Sequence, residues 1–288
     1  MPNKPFVIHR TRIAPTPSGY LHEGNGFAFA LTALLARQHN TALLLRVDDI
    51  DRGRFRQPYL QDIFETLTWM GIGWTEGPRD ATDFLAYWSQ HLHLARYTSL
   101  LEHLVSTGRV YACTCSRRDV RAASSDGRYP GTCREKGIEL HRPGVAWRIR
   151  VPAETLVSFR KLGGSVSDTY RLAGRLGDFV IRGKNGLPAY QVVSVADDLH
   201  HGCDLIVRGA DLLDSTLAQL YLAGLVGAER FAEARFLHHP LLTDAAGGKL
   251  SKSEGATALR QWRATGRSAA PLWDRAAAYL AEASLTAD

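Results

Sequence analysis

Two short segments far apart in the chain carry side chains suited to gripping phosphate: Leu21-His22-Glu23-Gly24-Asn25 and Lys249-Leu250-Ser251-Lys252-Ser253. The first follows the apolar run Phe6-Val7-Ile8 and precedes an apolar helical stretch from Phe27 to Ala36. A strand–turn–helix junction of this kind presents backbone N–H groups and the positive end of a helix to an anion. His22 can donate to phosphate oxygens. Gly24 and Gly26 lack Cβ atoms, so adenine or ribose can lie against the backbone. The second segment sets two lysines and two hydroxyls in a loop between Gly247-Gly248 and Gly255. Together the segments suit holding the phosphates of ATP while a bond at the α-phosphorus is exchanged. Singly, each has a plainer reading, a capping histidine and a solvated loop; the pairing carries the chemistry.

The elements that must position these groups are legible in outline. Residues 6–14 and 41–49 read as buried parallel strands, and the helix between them completes a βαβ unit. Pro58 marks a first helical turn for a helix from Tyr59 to Met70 that ends at Gly71. Asp83 is placed to cap one long helix from Phe84 to about Thr107, closed by Gly108. From Val110 to about Gly177 the pattern breaks up into Cys, Gly, Pro and Arg, with short strands expected at Ala146–Val151 and Val157–Leu162. The apolar runs Phe179–Arg182 and Ala189–Val195, flanking Lys184-Asn185-Gly186, read as a β-hairpin. Leu205–Arg208 reads as another buried strand, followed by a helix from about Leu212 to Val226. Phe236 to Leu242 then leads to the lysine segment, and Ala-rich helices follow Thr257. The expected division is residues 1–109 and 178–288 as two halves of one nucleotide-binding α/β domain, interrupted by an inserted subdomain at 110–177.

At 288 residues and 45% hydrophobic content the chain can bury a sizeable core. No run of about 18 uncharged apolar residues suggests a membrane span, and the N-terminus shows no secretory pattern, so a cytoplasmic protein is expected. The formal charge of +6 favours an acidic partner. Arginines cluster at Arg52-Arg54-Arg56, Arg117-Arg118-Arg121 and Arg128-Arg134, stretches that can follow a phosphate backbone or simply remain a solvated surface.

The Leu21–Asn25 and Lys249–Ser253 segments resemble the HIGH and KMSKS motifs of class I aminoacyl-tRNA synthetases. Arg12-Ile13-Ala14-Pro15-Thr16-Pro17-Ser18-Gly19-Tyr20-Leu21-His22, Leu45-Arg46-Val47-Asp48-Asp49-Ile50-Asp51 and Ile206-Val207-Arg208-Gly209-Ala210-Asp211 resemble the glutamyl branch. The likeness covers roughly residues 10 to 260, with several motifs in the family's order. It implies a Rossmann-type parallel-sheet catalytic domain of α/β class, magnesium accompanying ATP, and a tRNA partner. It further implies ATP contacts from Pro17, Gly19, His22, Gly24, Asn25 and Lys252, with His22, Lys249 and Lys252 as the catalytic groups. Lys252 is expected to follow the charge that grows on departing pyrophosphate. Asn25 stands where the motif's second His would be.

A glutamate site must hold two carboxylates and one ammonium, which asks for arginine and an acid. The resemblance maps these onto Arg12 and Arg208 for carboxylates, Asp48 for the amine and Tyr190 for a phenolic hydrogen bond, beside Ala14 and Thr16. Asp48 occupies a position where the family more often has Glu. Arg208 in an apolar strand also has a structural reading, with Asp48 or Asp49 as its partner. Asp197-Asp198 and His200-His201 resemble a segment near the family's active site and are given no catalytic role.

Cys113-Thr114-Cys115 and Cys133 suggest a metal, yet tetrahedral zinc wants a fourth ligand, and Tyr129 and His141 are the candidates. General ligand chemistry favours His141. The resemblance to shortened glutamyl synthetase relatives implies Tyr129 instead, giving Cys113, Cys115, Tyr129 and Cys133 as a structural zinc site. About 35 residues follow Ser253, too few for an anticodon-binding domain. The resemblance therefore implies activation of L-glutamate and its transfer to queuosine in the anticodon loop of tRNA(Asp). Charging of a tRNA(Glu) 3′ end with a partner subunit, and a non-catalytic tRNA-binding role, are the alternatives.

Overall fold

The computed structural model describes residues 6–163, 165–241 and 258–285. Its centre is a five-stranded sheet formed by β1 (Arg10–Ile13), β2 (Ala42–Leu45), β6 (Arg160–Lys161), β9 (Leu205–Gly209) and β10 (Arg235–His239), ordered β2-β1-β9-β10-β6. Every neighbouring pair is parallel. Side chains alternate across the pleat: Leu205 and Val207 enter one core while Ile206 enters the other. Burial on both faces is why these strands read as continuous apolar runs rather than alternating ones.

The first core lies against α1 (Glu23–Gln38), α2 (Gln57–Trp69) and the C-terminal helix Ala270–Leu285. The second lies under the helices Tyr190–His201 and Leu213–Leu225. A smaller antiparallel sheet joins β3 (Val110–Cys113), β4 (Ala146–Ile149) and β8 (Phe179–Arg182), and β5 (Leu156–Val157) pairs with β7 (Tyr170–Arg171). Sheet membership crosses residue 177 in both directions: β6 joins the central sheet, and β8 joins the smaller one.

From β1 the chain crosses through α1 to β2 on one side; from β9 it crosses to β10 on the other. The order therefore reverses between β1 and β9, and the carboxyl ends of parallel strands at such a point open a crevice for ligands.

Two expectations fail. The segment expected as the second hairpin strand is the helix Tyr190–His201. The Asn-Gly turn forms, with Gly186 N–H donating to the Gly183 carbonyl, but pairing stops at Pro188. Helical spacing buries Val192 and Val195 in one core and Val193 and Ala196 in another, and this packing overrides β-branched propensity. The long helix expected from Phe84 to Thr107 is interrupted. A π-helical turn, Phe84–Trp88, ends at Ser89, a 3-10 turn Gln90–His93 follows, and the α-helix Leu94–Ser106 begins afterwards. The cap belongs to Asp80, which accepts from the Asp83 N–H. The break has a cause in the interior: the Ser89 hydroxyl and the Gln90 N–H both donate to buried Asp49, at 2.7 and 2.8 Å.

Candidate functional site

A cleft of about 530 Å³ opens at the β1/β9 switch point. Its walls bring together Arg12, Ala14, Thr16, Gly19, His22, Gly24, Asn25, Tyr190 and Arg208, residues spread over almost 200 positions of sequence. Pro17 is buried beside the cleft and is not on its wall. Lys249 and Lys252 lie outside the described residues. The described residues on either side of that segment meet this site: Leu241 lines the cleft, and Ala258 forms an antiparallel bridge with His22.

His22 is the N-cap of α1. Its Nδ1 accepts from the Gly24 N–H at 3.1 Å, while the Asn25 Oδ1 accepts from the His22 N–H at 3.1 Å, a reciprocal capping box. With Nδ1 accepting, the neutral ring carries its proton on Nε2, so the ring can donate. Asn25 likewise keeps its oxygen for the cap and its amide hydrogens for donation. The glycines also serve packing. A Cβ on Gly24 would sit 3.0 Å from the His22 ring, so its absence lets the ring fold over the helix end. A Cβ on Gly26 would lie 2.7 Å from Leu272, and that glycine serves close packing against the C-terminal helix.

Arg12 and Arg208 project to the sheet face covered by Tyr190–His201 and Leu213–Leu225, and both are 4% exposed. Arg12 Nε donates to Asp198 Oδ1 at 3.0 Å, and Arg46 Nη1 donates to the same oxygen at 2.6 Å. Asp48 does not line the cleft; Arg46 takes both its oxygens at 2.7 and 3.1 Å, and Gln90 adds a third bond. The carboxylate expected to meet the amine is thus held behind the cleft wall by the neighbouring guanidinium. Neither Asp48 nor Asp49 pairs with Arg208: Asp49 pairs with Arg52 at 3.0 Å.

Arg208 stands apart. Its Nη1 donates to neutral acceptors, Gln219 Oε1 at 2.9 Å and Thr216 Oγ1 at 3.3 Å, while Nε and Nη2 are buried without hydrogen-bond partners. Burial pushes the guanidinium down to about 10, which leaves it charged at neutral pH. On and behind this wall, buried Arg12, Arg46 and Arg208 face buried Asp48 and Asp198, one positive charge in excess among these five. Despite its own burial, Asp198 is held below the usual carboxylate range by Arg12, Arg46 and Arg208. Asp197 is satisfied separately by Arg96, Tyr97 and Gln90.

Sequence reading placed Asp198 near the site without giving it a role, and missed Thr216, Gln219 and the His238-His239 pair. The available signals were adjacent acids within an apolar helix and a His-His-Pro run at a strand end. His239 lines the cleft with its ring edge-on to Phe27, and His238 Nε2 lies 2.8 Å from Thr216 Oγ1.

In the smaller sheet region the Cys113, Cys115 and Cys133 sulfurs lie within 4.8 Å of one another, a group that can hold a metal ion. The Tyr129 hydroxyl is 3.4 Å from Cys113 Sγ and 3.9 Å from Cys115 Sγ. His141 is exposed and packs edge-on to Trp147, away from the sulfurs. Burial raises the Cys115 thiol to about 11; for Cys133 burial also acts upward, but hydrogen bonds with Tyr129, Thr114 and Cys115 together outweigh it and lower the thiol to about 6. Clustered sulfur donors of this kind fit a soft or borderline cation.

A parallel sheet with a helix-capping histidine and two buried arginines at its switch point fits a class I tRNA synthetase catalytic domain. The family model for class I tRNA synthetases (E and Q), catalytic domain, matches residues 9–275. Over 276 residues the chain is 38% identical to the Glutamyl-Q tRNA(Asp) synthetase of Nitratidesulfovibrio vulgaris, covering 91% of this chain and 83% of that protein. It is 39% identical over 276 residues to the Glutamyl-Q tRNA(Asp) synthetase of Pseudomonas aeruginosa, covering 95% and 88%. The chain therefore belongs to the class I tRNA synthetases, a family of ligase-type enzymes, and within it to the glutamyl-Q tRNA(Asp) synthetase group. A crystal structure of a glutamate tRNA ligase from Elizabethkingia meningosepticum, in complex with its amino acid, matches the fold with a TM-score of 0.70 at 19% identity. That match covers 90% of this chain and 53% of the ligase, so the chain spans about half its length. No helix among the described residues is long and apolar enough to cross a membrane.

Proposed function

We propose that this chain activates L-glutamate with ATP and transfers it to the queuosine base in the anticodon loop of tRNA(Asp), in the cytoplasm. The observation that carries the amino-acid assignment is Arg208, a buried cation without a carboxylate partner on the wall of the cleft. Burying a charge without a counter-charge is costly, and a substrate carboxylate removes that cost. Arg12 lies beside it, braced by Asp198, and Tyr190 opens the covering helix with its phenol at the cleft.

In the first step a glutamate carboxylate oxygen attacks the α-phosphorus of ATP, the bond to the β-phosphate oxygen breaks, and pyrophosphate leaves. His22 Nε2–H and the positive N-terminal end of α1 stabilise the phosphate charge, and Lys249 and Lys252 are assigned to the departing pyrophosphate, with magnesium accompanying ATP. In the second step a hydroxyl of the queuosine cyclopentenediol attacks the activated carbonyl, AMP leaves, and the hydroxyl proton is released. Asp48 acts through Arg46. Cys113, Cys115, Cys133 and Tyr129 are assigned to one structural zinc ion.

Of the arginine clusters, Arg54 is engaged with Asp51, Arg52 with Asp49, Arg128 with Asp126 and Arg134 with Asp178. Arg117, Arg118 and Arg121 lie exposed on one short helix, and no ion pair among the described residues involves them. That helix is the best-placed surface for an RNA backbone.

The test supplies labelled glutamate, ATP and total tRNA, with and without queuosine. Label on tRNA(Asp) only with queuosine is expected. Label on tRNA(Glu) would favour the 3′-end reading. No glutamate-dependent ATP–pyrophosphate exchange by folded protein would favour a binding role.

A further inference from the structure

We infer that Gln219, which does not itself line the cleft, sets the amino-acid specificity of this enzyme by leaving Arg208 charged and without a paired carboxylate. The inference deepens the proposed function and rests on it. Gln219 is fully buried on the helix Leu213–Leu225 and gives its Oε1 to Arg208 Nη1 at 2.9 Å. An arginine has only donors, so the amide must turn its oxygen inward. Its Nε2 is consequently left buried without a hydrogen-bond partner.

A glutamate at this position would avoid the stranded amine and would form a charge-assisted pair with Arg208. It would also cancel the one excess positive charge among buried Arg12, Arg46, Arg208, Asp48 and Asp198. The other groups around Arg208 share the same property. Thr216 is neutral, His238 is pushed down to about 4 by burial and then by Arg208 itself, and the nearby acid Asp198 is shared between Arg12 and Arg46. The shell thus fixes one nitrogen of Arg208 without neutralising it. The charge remains for an arriving carboxylate, which an uncharged amide side chain of the same size cannot match. Gln219 is therefore a positioning residue that acts through Arg208.

The experiment compares Gln219→Glu, Gln219→Met and wild type in ATP–pyrophosphate exchange with glutamate and with glutamine, alongside calorimetric glutamate binding. Gln219→Glu should raise the glutamate KM and Kd by at least about 100-fold, with a much smaller change in kcat, and should narrow the preference for glutamate over glutamine by a similar factor. Gln219→Met, uncharged and of similar size, loses the acceptor at Arg208 Nη1 but adds no charge, so its loss of glutamate affinity should be much smaller than that of Gln219→Glu. Equal losses in the Glu and Met variants would assign the residue to packing and overturn the inference. So would a folded Gln219→Glu enzyme with unchanged glutamate KM. If Gln219→Glu does not fold, Thr216→Asp places a carboxylate on the same Arg208 nitrogen and must give the same loss of glutamate affinity. Wild type without glutamate-dependent exchange would remove the proposed function itself, a result separate from any behaviour of the variants.

Discussion

Arg12 and Asp198 are 186 residues apart in sequence, yet the Arg12 Nε donates to the Asp198 Oδ1 at 3.0 Å in the interior. The same oxygen also accepts from Arg46, so one carboxylate braces two guanidiniums behind the cleft. Asp198→Asn removes the charge that makes both tolerable. Loss of one partner from a buried pair costs about 3–5 kcal/mol, so urea denaturation should show a large drop in stability. Glutamate KM should rise in whatever folded protein remains. Because Asp198 is lowered from its usual value, its contribution is present above the unfolded carboxylate pKa and is lost as pH falls through the folded value. The variant should therefore lose less on acidification than wild type does.

His22 both caps α1 and faces the cleft, and substitution can separate the roles. His22→Ala should lose about 1 kcal/mol of stability from the missing cap and should slow exchange steeply. His22→Asn restores a favourable capping oxygen without the imidazole N–H. Its melting temperature should return toward wild type while exchange stays slow. Recovery of both together would take the ring out of catalysis.

Two partly buried histidines give the molecule an acid-sensitive window. His201 and His238 are each pushed down to about 4, chiefly by burial. Unfolding frees them to take protons at the ordinary value near 6.5, so the unfolded state binds more protons between those limits and stability falls as pH drops through the window. Each should contribute on the order of 1 kcal/mol, allowing for solvent screening of partly exposed rings. Denaturation at pH 7 and pH 4.5 should show this loss, and His238→Gln should reduce it.

The clustered sulfurs predict a metal requirement for the smaller sheet region. Chelator treatment should lower the melting temperature, and added zinc should restore it. Cys133→Ser should bind less metal by elemental analysis and lose the response to chelator. His141→Ala should bind as much metal as wild type, since its ring packs against Trp147. Cobalt substitution offers a second readout, with thiolate absorption weakened in Cys133→Ser and unchanged in His141→Ala.

Much of the site was legible because its parts are local. The strand–turn–helix junction at His22 and the apolar strands can be read within a dozen residues, since backbone geometry and one-dimensional pattern define them. The cysteine spacing was equally plain, although choosing Tyr129 from its residues alone was not possible; its hydroxyl lies among the sulfurs only because the smaller sheet folds it there. Tyr190–His201 was misread because Val192, Val193 and Val195 favour a strand locally, and only the two cores they reach make them a helix. Ser89 broke an otherwise helical pattern for Asp49, a partner 40 residues earlier.

Taken alone, the amino-acid order determined the parallel-sheet class, the strand–turn–helix junction at His22 and the presence of arginines on apolar strands. Which of those arginines keeps a charge for a ligand was decided only in three dimensions. Arg12 and Arg46 share Asp198, Arg46 also claims Asp48, and Arg208 meets the uncharged Gln219. Charge compensation depends on distances of about 3 Å in a low-dielectric interior, and chain separation along the sequence carries no information about such distances.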